Sequence, residues 1–166
     1  MNNRKKLKDI LKGVDVKRAE GSDQIQIGGV STDSKSVKEN FIFIAVRGSR
    51  FDGHSFIKEA LDNGAKAVVC QDDLGEFLNN KDITKIFVSD TRQAGAEIIN
   101  NFYDRPADKM KMTAITGTNG KTTISYLAES IFKEARFNVG VIGTVNYRYG
   151  IRQIPATNTT PGFFEL

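Results

Sequence analysis

One cysteine, one histidine and three prolines in 166 residues exclude several kinds of protein at once. A lone Cys70 cannot close a disulfide within the chain. At the end of Ala67-Val68-Val69 it reads as a buried strand residue and not as a nucleophile. A single histidine cannot build a metal cluster, and His54, beside Asp52-Gly53 at a helix start, reads as structural and not as a general base. No apolar stretch approaches the length that spans a bilayer, and the basic first residues are not followed by the apolar region of a signal peptide. Internal repeats and low-complexity tracts are missing too. A reducing, cytoplasmic setting is expected.

What is present is enough for a core. Apolar residues make up 39% of the chain, with eleven phenylalanines, and the 27% of charged residues argue for a globular fold and against disorder. The length allows one ordinary domain, or a small domain plus a piece of a second. Much of the net charge of +4 comes from Arg4, Lys5, Lys6, Lys8, Lys12, Lys17 and Arg18. No aromatic residues interleave with them, so a solvated first helix explains them better than a nucleic-acid arm does.

Hydrophobic periodicity alternates between two and about 3.6 residues along the chain. Leu7, Ile10 and Leu11 trace a short amphipathic helix that Gly13 can end. Ile25, Ile27 and Val30 alternate as strand residues, and Phe41 to Val46 is a continuous apolar run that reads as a strand buried on both faces. A helix from His54 to Asn63, capped by Gly64, precedes a strand from Ala65 to Cys70. Ile86-Phe87-Val88 is the next strand, followed by a helix with Thr91 as its N-cap and Ala94, Ile98, Ile99 and Phe102 on one face. The fold class is therefore α/β, with a mainly parallel or mixed sheet.

The rhythm breaks at Tyr103 to Asp108, where Pro106 disfavours helix at Arg105; the domain boundary is placed there, giving a first domain of residues 1–105. Beyond it, Met112 to Thr116 reads as a strand, Gly117 to Gly120 as a tight turn, and Lys121 to Ala135 as a helix with Leu127, Ile131 and Phe132 inward. Val139 to Gly143 begins another strand. Residues 106–166 are too few to cover both faces of a parallel sheet, so this second domain is expected to be truncated.

Chemistry concentrates in Thr116-Gly117-Thr118-Asn119-Gly120-Lys121-Thr122-Thr123. Glycines between a strand and a helix let backbone N–H groups curl around phosphate oxygens at the positive end of that helix. Lys121 would neutralise the β- and γ-phosphates and act as the catalytic cation, and the Thr122 hydroxyl would ligate Mg²⁺. The general P-loop pattern places glycine where this chain has Ile115, so the match is to a shorter variant.

That variant resembles the ATP loop of the Mur ligases, which build the peptide of bacterial cell-wall precursors. Val30-Ser31-Thr32-Asp33-Ser34-Lys35, Phe41 to Val46, Gly48 through Asp52-Gly53-His54, and Gly64 to Val69 resemble the family's N-terminal UDP-sugar domain. Gly140 to Thr144 and Asn158-Thr159-Thr160-Pro161 narrow the likeness to the branch that forms the muramoyl-tripeptide, although Gly162 stands where an acidic residue commonly follows the proline. The resemblance implies that Thr32 and Ser34, with Ser49, Arg50 and Phe51, contact the UDP-sugar. It also implies that Asn158, Thr159 and Thr160 bind the muramoyl-peptide. Taken alone, Asp33-Ser34 fits a side-chain-capped turn equally well, and residues 158–160 fit an ordinary polar loop.

By the same resemblance, the intact protein is a monomeric, ATP- and Mg²⁺-dependent ligase. It would add L-lysine or meso-diaminopimelate to UDP-N-acetylmuramoyl-L-alanyl-D-glutamate through an acyl phosphate, with no nucleic-acid or membrane partner. The family's acidic Mg²⁺ ligand, carbamylated lysine, adenine pocket and amino-acid site fall beyond Leu166, so the chain itself is expected to be inactive. The alternatives are the neighbouring tripeptide-extending branch, a stand-alone P-loop NTPase, and a non-catalytic module that binds UDP-sugar or nucleic acid.

Overall fold

The basic N-terminus does not form one solvated helix. Lys5–Lys6 is a two-residue strand (β1), Leu7–Ile10 a single helical turn (α1), and Val16–Glu20 a further strand (β2), which contains Lys17 and Arg18. Leu7 and Ile10 are fully buried, while the Arg18 guanidinium lies 4.1 Å from the centre of the Phe87 ring. Lys5, Lys6, Lys17 and Arg18 therefore sit on strands, and Lys6, Lys8, Lys12, Lys17 and Arg18 are exposed. This computed structural model describes residues 4–48, 52–71 and 82–156. The chain forms two compact units, Met1–Lys109 and Met110–Leu166.

In the first unit, Gln26–Ile27 (β3) pairs with β1, while Gly29–Ser31 (β4), Phe41–Ile44 (β5), Ala65–Cys70 (β6) and Thr84–Val88 (β7) form the parallel part of a mixed sheet. Its order is β2-β7-β6-β5-β4, with β2 antiparallel to β7 at the edge. Successive residues of a strand face opposite sides. Ile42, Phe43 and Ile44 are all fully buried, so both faces of the sheet are covered, as an uninterrupted apolar run requires. Helix α2 (Ile57–Asp62) closes one face, where Phe43 and Val68 join Ile57 and Ala60 in one core. Helix α3 (Thr91–Phe102) buries Ala94, Ile98 and Phe102. Cys70 is buried in β6, as its place in the apolar run anticipates.

The N-cap of α3 is Asp90 and not Thr91. Its carboxylate accepts from the Arg92 and Gln93 amides at 2.7 and 3.2 Å, which places Thr91 inside the helix. Aspartate binds these unpaired first-turn donors at least as well as threonine. After α3, Asp104 and Arg105 take left-handed conformations (φ 60° and 49°) just before Pro106. Arg105 is held there by ion pairs with Glu97 and Asp108.

The second unit contains helix α4 (Lys121–Glu134) and strands β8 (Gly140–Ile142), β9 (Asn146–Tyr149) and β10 (Arg152–Pro155), paired antiparallel in the order β10-β9-β8. A two-residue connection led by Gly150 (φ 55°) joins β9 to β10, because a tight hairpin needs the positive φ that glycine adopts without strain. Residues 112–116 do not form the expected strand. They are exposed apart from the half-buried Ile115, and no neighbouring strand among the described residues pairs with them. Leu127, Ile131 and Phe132 were expected inward, yet they are exposed (59%, 67% and 39%), since the described residues offer no parallel sheet to receive them.

The opposite face of α4 is anchored by charge. Glu129 is buried and accepts from Arg148 at 2.6 and 3.0 Å and from Lys133 at 2.7 Å, while Arg148 stacks 4.0 Å from the Tyr126 ring centre. These bonds, those of Arg148 foremost, hold the Glu129 carboxyl below the ordinary glutamate value of 4.5. The unfolded chain therefore takes up this proton first as pH falls. The stabilisation is complete above about 4.5 and is lost as pH drops through the lower folded value. Hydrogen exchange at β9 amides should accelerate in acid for the wild type. In Glu129→Gln it should be faster at neutral pH and lack that acid step.

Candidate functional site

The parallel strands β4 to β7 all end on one edge of their sheet, the side on which ligands of α/β sheets commonly bind. After β4, the Ser31 hydroxyl accepts from the Asp33 amide (3.0 Å) and donates to the Asp33 carbonyl (2.8 Å). Asp33 then accepts from the Lys35 amide and the Ser36 hydroxyl. These bonds, the Ser36 hydroxyl foremost, keep its carboxyl below the usual aspartate range. The side-chain-capped turn is thus real. Ser34 is 5% exposed, its hydroxyl donates to Glu59, and its carbonyl accepts from Asn63 at 3.0 Å, so it ties this turn to α2. Thr32 is half-buried at the end of β4.

The ends of β5, β6 and β7 are joined by a closed circuit of polar bonds. Arg47 and Asp52 form an isolated antiparallel bridge and an ion pair at 3.3 Å. Asp52 also meets the His54 amide and ring Nδ1, at 3.0 and 2.6 Å. The bonds to His54, its backbone N–H first, lower the Asp52 carboxyl. On the other side of the ring, the Gln71 amide donates to His54 Nε2 at 3.1 Å. The Gln71 side chain then donates to the Ser89 carbonyl (2.9 Å) and accepts from the Thr91 hydroxyl (3.4 Å). Arg92 returns to the Arg47 carbonyl at 3.0 Å. Both ring nitrogens of His54 are thus bonded, and the Gln71 and Arg92 links have no sequence signal because their partners lie 17 and 45 residues away.

A concavity of about 570 Å³ lies at the opposite end of α3. Its lining charges neutralise one another, as Lys5 does Asp104 and Arg105 does Asp108.

In the second unit, the turn Thr116 to Gly120 leads directly into α4. Gly117 and Gly120 have φ of 148° and 78°, a region that L side chains rarely adopt. Gly120 occupies the N-cap without a side chain to bond the first amides, and the first helical bond runs from the Ile124 amide to the Gly120 carbonyl. The N–H groups of Lys121, Thr122 and Thr123 therefore have no carbonyl of a preceding helical turn to accept them. Lys121 folds back so that its Nζ donates to the Gly117 carbonyl at 2.5 Å and weakly to Thr118 at 3.4 Å. The ammonium thus sits above the turn, and the Thr122 and Thr123 backbones lead the helix beside it. Uncapped amides and a cation at the start of a fourteen-residue helix make a terminus suited to an anion, and Thr122 is exposed beside them.

The structure therefore describes Thr116 to Thr123 as one contiguous loop and helix start, with Thr32 and Ser34 at the sheet edge of the other unit. Ser49, Arg50, Phe51, Asn158, Thr159 and Thr160 lie outside the described residues.

Residues 26–103 match the model of the Mur ligase family catalytic domain, and residues 115–166 match that of the Mur ligase middle domain. The UDP-N-acetylmuramoyl-L-alanyl-D-glutamate–2,6-diaminopimelate ligase of Clostridium tetani is 41% identical over 161 residues, 97% of this chain and 33% of its own length. The protein of the same name from Caldanaerobacter subterraneus is 40% identical over the same shares. The chain thus spans about a third of the length of these curated relatives. A solved ligase of that name superposes with a TM-score of 0.69 at 28% identity, covering 93% of this chain and 31% of that one. The D-alanyl-D-alanyl ligase of Acinetobacter baumannii shares the fold at 23% identity, with a TM-score of 0.60 over 79% of this chain and 28% of that one.

Proposed function

The chain belongs to the Mur ligase family, and we propose that it carries the UDP-sugar domain and the phosphate loop of a ligase acting on UDP-N-acetylmuramoyl-L-alanyl-D-glutamate. The observation that carries this reading is the turn at Gly117 and Gly120, which delivers an uncapped helix with Lys121 folded over it. The names of the relatives, at 40 to 41% identity over almost the whole chain, favour diaminopimelate over lysine as the amino acid added. Residues 1–105 form the UDP-sugar part and residues 106–166 the opening of the ATP-binding domain. The working protein is a cytoplasmic monomer.

In this reading Thr116 to Thr123 hold the nucleotide phosphates, with Lys121 as the neutralising cation and Thr122 as the protein's hydroxyl on Mg²⁺. Bound there, ATP supplies the phosphoryl group that activates the terminal carboxylate of the substrate. The contribution of this chain is positioning and charge neutralisation, with no covalent enzyme nucleophile. Thr32 and Ser34, with Ser49, Arg50 and Phe51, hold the UDP-sugar. For Ser34 the support is indirect, because its hydroxyl is spent on Glu59 and it shapes the turn that presents Thr32. Asn158, Thr159 and Thr160 hold the muramoyl-peptide.

Calorimetry with UDP-N-acetylmuramoyl-L-alanyl-D-glutamate, Mg·ATP and a random oligonucleotide separates the readings. Saturable binding of the UDP-dipeptide is expected, with none of the oligonucleotide at physiological salt. Oligonucleotide binding without UDP-dipeptide binding would reverse the conclusion.

A further inference from the structure

The turn that follows β4 directs most of its polar side chains at itself. Ser31 closes on the backbone of Asp33, and Asp33 on the Lys35 amide and the Ser36 hydroxyl. The Ser36 and Val37 amides return to the Asp33 and Ser34 carbonyls at 3.1 and 3.3 Å. Bonds of this kind set the shape of a turn without fixing it to another element. Thr32 is half-buried, and its hydroxyl has no hydrogen-bond partner among the described residues.

The turn meets a second element at Ser34. Its hydroxyl donates to Glu59 and its carbonyl accepts from Asn63 Nδ2 at 3.0 Å. Glu59 lies in α2 and Asn63 caps the C-terminal end of that helix, whose Ile57 and Ala60 are buried in one core with Phe43 and Val68. Ser31 is paired in β4 and Val37 is buried, so both ends of the turn are fixed and Ser34 fixes its middle. We infer that Glu59 is a positioning residue for the UDP-sugar edge: through the Ser34 hydroxyl it sets where the turn holds Thr32. This rests on the reading of that edge as the UDP-sugar site.

A carboxylate suits this task, because an ionised acceptor makes a stronger bond to a hydroxyl than a neutral one does. Ser34 is 5% exposed, and a buried hydroxyl left without an acceptor costs more than the bond contributes when made. Removing Glu59 therefore drives the Ser34 hydroxyl toward water and takes the turn with it. Removing the hydroxyl releases the same turn from the other side. The two changes delete one interaction, so their effects on ligand affinity do not add. A serine that held the ligand directly behaves otherwise, since its loss weakens binding and the loss of Glu59 does not.

Titration calorimetry of the whole chain with UDP-N-acetylmuramoyl-L-alanyl-D-glutamate tests this, with hydrogen exchange at the slowest β6 amides to establish that each variant is folded. Glu59→Ala and Ser34→Ala should each weaken binding by about tenfold, the size of one charge-assisted hydrogen bond. The double variant should also lose about tenfold, where independent sites would lose about a hundredfold. Glu59→Gln keeps an acceptor oxygen and should stay within about threefold of wild type. Asn63→Ala frees the Ser34 carbonyl from the exposed end of α2 and should lose about fivefold, which supplies the test should Glu59→Ala not fold. Wild-type affinity in Glu59→Ala or in Asn63→Ala, a double variant whose loss is the product of the two single losses, or Glu59→Gln as weak as Glu59→Ala overturns the positioning role while leaving the site assignment standing. No binding by the wild type overturns the site assignment and the positioning role together.

Discussion

Lys121→Ala is expected to weaken the binding of Mg·ATP or inorganic triphosphate by about 10- to 100-fold, the worth of a charge-assisted hydrogen bond or two. The ammonium lies over the glycine turn with the carbonyls of Gly117 and Thr118 as its partners. Backbone carbonyls are weak substitutes for phosphate oxygens, so a polyphosphate displaces them at little cost and gains the full charge. Lys121→Arg should recover only part of the affinity, because a planar guanidinium is a poor replacement for a compact ammonium inside a narrow turn. Titration calorimetry at two salt concentrations tests this, since the lost contact is ionic and its loss should flatten the salt dependence. Where the remaining ligase domains are present, amide formation should fall by about 10²- to 10³-fold, as when one preorganised charge stabiliser is removed. Equal affinities for wild type and Lys121→Ala would remove the phosphate-binding assignment of the loop.

Phe43→Ala is expected to destabilise the first unit by about 3–5 kcal/mol. Phe43 is fully buried in the central part of the sheet, packed in one core with Val68, Ile57 and Ala60. Truncation removes the ring and leaves a cavity between sheet and α2 that neighbours locked in two layers cannot fill. A small domain has only about 5–15 kcal/mol in total, so this is a large fraction of it. Hydrogen exchange at the slowest β6 amides measures the change in the first unit alone. Protection factors should fall by at least two orders of magnitude, and a fall of less than tenfold would mean that the core collapses around the vacancy or that Phe43 does not bridge the layers.

Where one face or both faces of an element are apolar, the sequence reads directly. Phe41 to Ile44, Ala65 to Cys70 and the stripe through Ala94, Ile98 and Phe102 were legible because burial leaves its mark in periodicity. Strand β2 was not. Val16-Lys17-Arg18-Ala19-Glu20 has no alternation, and its conformation is set by pairing with β7 and by the stacking of Arg18 on Phe87. Residues 112–116 fail in the opposite sense. Their composition suits a strand, but a strand is a paired object, and no partner for them is found among the described residues. At the candidate sites, the glycine turn with Lys121 was legible because its chemistry is contiguous in the chain. The circuit from Arg47 through His54 to Gln71 and Arg92 was not, since it is assembled from residues that only the sheet brings together.

The outward stripe of α4 has a practical consequence. Ile124, Leu127 and Ile131 keep half or more of their area in water, while Glu129 anchors the other side through Arg148. A helix held by charge on one flank and oily on the other is a surfactant by construction, with a free-energy incentive to lie at any interface that takes its oily flank. Stirring and foaming, which renew the air–water boundary, will therefore cloud solutions of this chain more readily than standing in bulk will.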